Sequence, residues 1–208
     1  MTESASPRLD AGHWQAIYEG GEPGWDLGHP APPFAALVAQ PPAWLQPDGR
    51  IFHAGAGLGH DAALFAQAGF RITAVDFAPT AVAALHRLAA VHDTLQVLEA
   101  DLFAIPDDHH GVYDYALEHT CFCAIAPTNR AAWFAAMHRV LRPGGILFGL
   151  FYRFEPNDDA GPPFAISEDA FRELAGQHFE LLEFAVPGNS LPRRAGRERF
   201  VRLRKVAG

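Results

Sequence analysis

Three glycines at alternate positions, Gly55, Gly57 and Gly59, stand where a β-type run, Arg50 to Ala54, meets a helical run beginning at His60. Such a turn lets a ligand approach the backbone, because glycine has no Cβ in the way, and it points a helix N-terminus at that ligand. A tight strand-to-helix connection with no ligand asks for the same residues. Asp76 adds weight to the ligand reading. It lies 21 positions after Gly55, at the end of the second β-type run, where a carboxylate accepts hydrogen bonds from ribose hydroxyls in nucleotide-binding α/β folds. A ribose-bearing ligand is implied, with Gly55, Gly57, Asp76 and Phe77 placed to hold it. Asp101 ends the third run in Glu-Ala-Asp-Leu-Phe, suited to an adenine amino group with Leu102 or Phe103 against the ring; an Asp capping the next turn would look alike. A dinucleotide would ask for Gly-x-Gly-x-x-Gly, and His60 occupies the third glycine's place, which disfavours NAD.

Other residues could act on a second substrate. Glu118-His119 closes the fourth β-type run as a potential acid–base pair. Neighbouring strand residues face opposite ways, so one of the two enters the site, and His119 is the better candidate. The stretch Arg193, Arg194, Arg197, Arg199, Arg202, Arg204, Lys205 concentrates positive charge in a chain of net charge -8. It reads either as a solvated edge strand whose charges discourage aggregation or as an attractor of a small anion. The negative balance argues against a nucleic-acid partner. Cys121 and Cys123 are too close in sequence for an ordinary bridge and are expected as free thiols in a reducing, cytoplasmic setting. They lack zinc-ligand spacing, and Asp107-Asp108-His109-His110 reads as an exposed turn, so no metal is expected. Neither Gly-x-Ser-x-Gly nor a phosphate loop is present, which leaves hydrolase and nucleoside-triphosphatase readings without support.

The elements that must position these groups follow an α/β pattern. Helices are expected at His60 to Ala68, Pro79 to Ala90, Asn129 to Leu141 and Ser167 to Ala175. Strands are expected at 50–54, 70–75, 95–99, 112–120 and 146–152, the last apolar throughout as a buried central strand should be. Leu141-Arg142-Pro143-Gly144-Gly145 reads as the break before that fifth strand. Residues 178–186 and 198–206 read as a terminal antiparallel pair added to a mostly parallel sheet. Before this core, His13 to Gly20 forms a short helix and the Gly- and Pro-rich GGEPGWDLGHPAPP a loop or lid, so residues 1–45 make an N-terminal cover and 46–208 the core of one domain. The polar start is unlike a signal peptide, and no apolar run approaches the roughly 20 residues that span a bilayer, so no membrane partner is expected.

In that order the residues resemble the thiopurine, halide and thiol methyltransferase superfamily of class I S-adenosylmethionine-dependent enzymes. The resemblance rests on Pro23-Gly24-Trp25-Asp26-Leu27-Gly28, on the Gly-rich turn followed by His60-Asp61, on Phe122-Cys123-Ala124-Ile125 after the fourth strand, and on Gly161-Pro162-Pro163-Phe164. It runs from Trp14 to the last strand. The chain departs from the family where Pro-Gly-Cys-Gly usually begins the turn, and Tyr18 and His119 stand where plant relatives carry tryptophan and tyrosine.

The resemblance implies a Rossmann-like, mostly parallel seven-stranded sheet with helices on both faces, an antiparallel C-terminal strand and an N-terminal helical lid. It implies S-adenosylmethionine as cofactor, with S-adenosylhomocysteine as product. Trp14, Tyr18 and Trp25 would line the cofactor from the cover, Gly55 would meet its amino-acid part, Asp76 its ribose, Asp101 and Leu102 its adenine, and His119 would lie beside it. The three aromatics could also simply pack the cover onto the core. Relatives carry a tyrosine after the fifth strand and a Pro-x-Arg segment before the last, matching Tyr152 and Pro192-Arg193-Arg194, so Tyr152 and Arg194 are the candidate acceptor contacts. A small sulfur or halide acceptor reaches the site already anionic and needs no base; an oxygen or nitrogen acceptor would draw on His119. A non-catalytic cofactor-binding protein is the reading from a different class. The chain is expected to act on a small-molecule acceptor as a monomer.

Overall fold

The computed structural model describes residues 9–21, 23–156 and 160–206. The polar start, up to residue 8, lies outside the described residues.

Seven strands form one sheet: β1 (Arg50–Ala54), β2 (Arg71–Asp76), β3 (Leu95–Glu99), β4 (Tyr113–His119), β5 (Leu141–Tyr152), β6 (Phe179–Ala185) and β7 (Glu198–Lys205). Their order is β3-β2-β1-β4-β5-β7-β6, parallel from β3 through β5, with β7 antiparallel to both neighbours. The order in which successive strands are added reverses between β1 and β4, and a crevice opens there at the strands' C-terminal ends. The helices are α1 (Ala11–Glu19), α2 (Pro32–Ala39), α3 (His60–Gln67), α4 (Pro79–Ala89), α5 (Arg130–Val140) and α6 (Glu168–Gly176).

Alternation along the strands builds two cores. Phe52, Leu147 and Phe151 turn toward α5 and α6, where Trp133, Phe134 and Phe171 are fully buried. Ile51, Leu117 and Phe148 turn the other way onto Phe34, Phe65 and Leu85 from α2, α3 and α4. A strand buried on both faces needs apolar residues at consecutive positions, which is why the central runs read as continuously apolar. Among the described residues, no helix is long and apolar enough to cross a membrane.

The structure departs from the sequence reading in three places. Helix α2 begins in the last two residues of the segment read as loop and runs on through a part of the cover to which the sequence assigned no element: Pro32 occupies its first turn, where a missing N–H costs nothing, and Phe34 drives its burial. Strand β5 starts at Leu141, whose pairing with Tyr113 is followed by a register shift that carries Arg142 to Gly145 as an irregular bulge. The third concerns the basic stretch, because β7 is an interior strand and not an edge. Of its arginines, Arg199, Arg202 and Arg204 pair with Glu168, Glu183 and Glu180, while Lys205 caps the carbonyl of Leu141. The edge on that side of the sheet is β6.

The cover docks by hydrogen bonds. Ala78, at the N-cap of α4, has no side chain to satisfy that helix's first N–H groups. Gln15 of α1 does so instead, its Oε1 accepting from Thr80 N at 2.9 Å while its Nε2 donates to Thr80 Oγ1 at 3.0 Å.

Candidate active site

A cavity of about 1090 Å³ opens over the C-terminal ends of β1 to β5, roofed by α1 and the loop after it. The Gly-rich turn forms its floor. Gly55 and Gly57 have φ of 59° and 56°, a left-handed conformation that side chains resist. A Cβ at Gly55 would come within 2.8 Å of Cys121 Sγ, and one at Gly57 within 3.3 Å of Tyr18 Oη, so the cradle exists only because both residues are glycine.

Asp76 stands beside this floor. Its carboxylate accepts from Gly57 N at 2.9 Å, Phe77 N at 2.8 Å and Ala78 N at 3.0 Å. Burial raises its pKa, and the three N–H groups oppose that rise. Asp101 and Leu102 border the cavity beyond β3; one oxygen of Asp101 accepts from Phe103 N at 2.9 Å, so the turn-capping arrangement is present as well. From the cover, Trp25 meets Trp14 and Tyr18 edge to face, at 5.5 and 5.6 Å between ring centroids, and all three rings face the cavity. Burial, and next the Asp76 carboxylate, raise the Tyr18 pKa, so its hydroxyl stays protonated.

The second group of candidates gathers on the opposite wall. Arg194 is buried, 5% exposed, with its guanidinium 5.7 Å from the centre of the Tyr152 ring. Its Nη2 donates to Trp25 O at 2.9 Å, and its Nη1 lies 2.5 Å from His119 Nε2. Arg197 covers the same tyrosine ring at 5.2 Å and pairs with Glu155. The backbone turns sharply beside this wall, with Thr120 at φ 60° and Arg153 at φ 70° just after β4 and β5. The Gly161–Phe164 loop is pinned there: Arg130 donates to Phe164 O and Ala165 O, both at 3.0 Å, and Phe164 N to Cys123 O at 2.7 Å.

Glu118 and His119 part as strand geometry requires. His119 borders the cavity, whereas Glu118 is fully buried and accepts from Phe122 N at 3.1 Å. Burial pushes the Glu118 carboxyl up to about 8, so it is largely neutral at pH 7. Three neighbours of the site escaped the sequence reading. Asp61, noted only as part of a motif, takes His119 Nδ1 at 2.6 Å and Ala31 N at 2.8 Å. Burial alone would raise its pKa, but His119, His53 and the Ala31 N–H together bring it below the ordinary value. His53 lies beneath, its Nδ1 without a hydrogen-bond partner, and burial lowers its pKa to about 4. Cys121 packs under Gly55; both cysteines are free thiols, and burial raises the pKa of each. Helical spacing from the glycine turn could have pointed to Asp61; nothing local in the sequence marks His53.

Among the described residues, no group of three or more His, Cys, Asp or Glu side chains is arranged to hold a metal ion. The cavity suits a nucleoside-bearing cation instead: a glycine cradle, a carboxylate at the end of β2, and aromatic faces on the roof.

Comparison with known proteins agrees with this geometry. The 1,6-didemethyltoxoflavin N1-methyltransferase of Burkholderia thailandensis, solved with S-adenosylhomocysteine and 1,6-didemethyltoxoflavin bound, superposes with a TM-score of 0.79 at 21% identity, over 100% of this chain and 93% of the other. A TehB-like S-adenosylmethionine-dependent methyltransferase from Corynebacterium glutamicum gives 0.64 at 18% identity, over 94% and 95%. In sequence, the probable thiol methyltransferase 2 of Arabidopsis thaliana is 29% identical across 99% of this chain and 88% of its own length. Thiocyanate methyltransferase 1 of Brassica oleracea is 26% identical across 95% and 87%. The thiopurine S-methyltransferase (TPMT) family matches residues 9–202, nearly the whole chain. With the fold, the cavity and this match in agreement, the chain belongs to the thiopurine S-methyltransferase family and is an S-adenosylmethionine-dependent methyltransferase of small molecules.

Proposed function

We propose that the acceptor is a small sulfur or halide nucleophile, such as a thiol, thiopurine, thiocyanate, hydrosulfide or halide, that enters the cavity already anionic. The observation that carries this reading is the buried Arg194 guanidinium over the Tyr152 ring, a fixed positive charge on a partly aromatic wall facing the roof aromatics. Its neighbourhood also supports it, since relatives named as thiol and thiocyanate methyltransferases match nearly the whole chain.

In this reading Asp76 accepts from the ribose, Gly55 and Gly57 admit the amino-acid part, Phe77, Asp101 and Leu102 surround the adenine, and His119 adjoins the donor's edge. Bound there, S-adenosylmethionine supplies a methyl carbon activated by a sulfonium charge. Trp14, Tyr18 and Trp25 stabilise that charge with their ring faces, by about 1–2 kcal/mol in a desolvated site, and keep water out. Arg194 and Tyr152 hold the nucleophile in line with the methyl carbon, a displacement that asks for orientation more than for covalent chemistry. We read the protein as a cytoplasmic monomer of one domain. Two free thiols support the compartment, and a sheet that draws strands from both halves of the chain supports the single domain.

The test is titration with S-adenosylhomocysteine and NAD, then methyl transfer to iodide, thiocyanate, hydrosulfide, an aromatic thiol and a phenol. Binding of the first ligand alone, with turnover confined to sulfur and halide acceptors, is expected. Arg194→Met should raise the acceptor KM about tenfold or more with little change in S-adenosylhomocysteine affinity. Turnover of the phenol alone would overturn the reading.

A further inference from the structure

The hydrogen bonds around His119 give it one tautomer. Asp61 already accepts the Ala31 N–H on Oδ1, and its Oδ2 lies 2.6 Å from His119 Nδ1; both side chains are more than nine-tenths buried. A carboxylate only accepts, so Nδ1 carries the proton and Nε2 carries the lone pair. That lone pair is taken. Arg194, which only donates, places Nη1 2.5 Å from Nε2 and gives Nη2 to Trp25 O. A base must have its lone pair free for the proton it removes, whereas this one is spent on orienting a guanidinium.

We infer that Asp61 and His119 are positioning residues, a rigid chain from helix α3 through strand β4 that fixes Arg194 for an anionic acceptor, and that His119 does not act as a base. The inference rests on the acceptor reading of Arg194 given above and narrows it: nucleophiles that are ionised before they bind are accepted, and alcohols and amines are not. Two of the five guanidinium N–H groups are used by the chain and the cover, and the others remain for an anion. Phe34 packs against the imidazole in a T-shaped contact, ring centroids 5.5 Å apart, and adds an apolar neighbour to these bonds.

The arrangement is sensitive to one proton. Protonated His119 would set an N–H at Nε2 against the N–H of Arg194. The titratable and charged groups around the chain are Asp61 from α3, His53 from β1 and Arg194 from the loop before β7; Arg194 in turn faces Glu198, Arg193, Cys123 and Tyr152.

Thiocyanate separates positioning from base catalysis, because it has no proton to remove. With thiocyanate as acceptor, Asp61→Asn and His119→Leu should each raise KM about tenfold or more, and in Asp61→Asn the affinity for S-adenosylhomocysteine should change about twofold at most. Asp61→Asn is nearly isosteric, but its oxygen stays on the Ala31 N–H and its amide N–H turns to Nδ1, so the histidine proton moves to Nε2 and confronts Arg194. His119→Gln, whose amide oxygen can accept from Arg194, should recover part of what His119→Leu loses. In the wild type, kcat/KM for thiocyanate should fall on acidification with the loss of one group, and His119→Gln should remove that limb. Nitrogen-15 NMR of the imidazoles, with His119 assigned from the His119→Gln spectrum, supplies a readout that needs no acceptor. It should show the Nδ1–H tautomer. An Nε2–H tautomer, or an unchanged thiocyanate KM in Asp61→Asn, would overturn the inference. The Nδ1–H tautomer in a protein that binds S-adenosylhomocysteine but turns over no anionic acceptor would leave the positioning chain standing and sink the acceptor reading.

Discussion

Gly55 shows how little room the site leaves at the residue scale. Its φ of 59° and the 2.8 Å approach of a built Cβ to Cys121 Sγ act together, one through the backbone and one through packing. Gly55→Ala is expected to lose about 1–3 kcal/mol of stability from the left-handed conformation and to weaken S-adenosylhomocysteine binding about tenfold or more. Adding Cys121→Ala removes the 2.8 Å contact with Sγ but leaves Cβ of residue 121 at 3.0 Å together with the backbone penalty, so the double variant should recover part of the affinity; full recovery, measured by calorimetric titration, would show that the backbone conformation is unimportant. The glycine spacing made this position legible from sequence. The thiol beneath it was not, since Cys121 lies 66 positions away and only the β1–β4 pairing brings the two together.

The cover and the core meet through elements whose contacts no local pattern announces. Helix α1 buries none of its residues, so apolar packing alone gives it little hold on the core. Its attachment is the Gln15–Thr80 pair, helped by Arg194 and Arg193 donating to the carbonyls of Trp25 and Asp26. Gln15→Ala removes both bonds to Thr80 and leaves the first turn of α4 uncapped. Limited proteolysis should then cut within the first 30 residues several-fold faster than in the wild type, and S-adenosylhomocysteine should slow cutting in both proteins. Equal cutting with and without ligand would mean that the cover is no lid. Helix α2 was missed for a related reason: its prolines look like loop residues, and only the burial of Phe34 against Phe65 and Phe148 makes the segment helical. The basic stretch misled in the opposite sense, because its alternation is that of a strand but its carboxylate partners come from β6, α6 and the loop after β5.

For the molecule as a whole, two buried groups set an opposed pH dependence of stability. Burial raises Glu118 from 4.5 to about 8, so the folded state binds more protons than the unfolded chain between those values, and stability falls as pH rises through that window. Burial lowers His53 from 6.5 to about 4, so the unfolded chain binds more protons there, and stability rises with pH over that narrower window. The two oppose each other below 6.5, and above it Glu118 acts alone. Glu118→Gln should therefore flatten the decline in Tm between about pH 6.5 and 8, a change of several degrees given roughly 2–4 °C per kcal/mol for a chain of this size. His53→Leu should flatten the acid limb, and a Tm profile unchanged in both variants would remove these groups from the account.

By itself the sequence determined the α/β alternation, the glycine turn with its distant aspartate, and the aromatic cover, because each depends on residues near one another along the chain or at a repeat set by strand and helix. Tertiary structure alone decided that β7 lies inside the sheet, that Glu118 is sealed away beside the thiols, and that Asp61, His119 and Arg194 form one chain across α3, β4 and the loop before β7. Those features join residues 58 and 75 positions apart, and a hydrogen bond across such a distance is fixed by the packing of the elements, which no local spacing records.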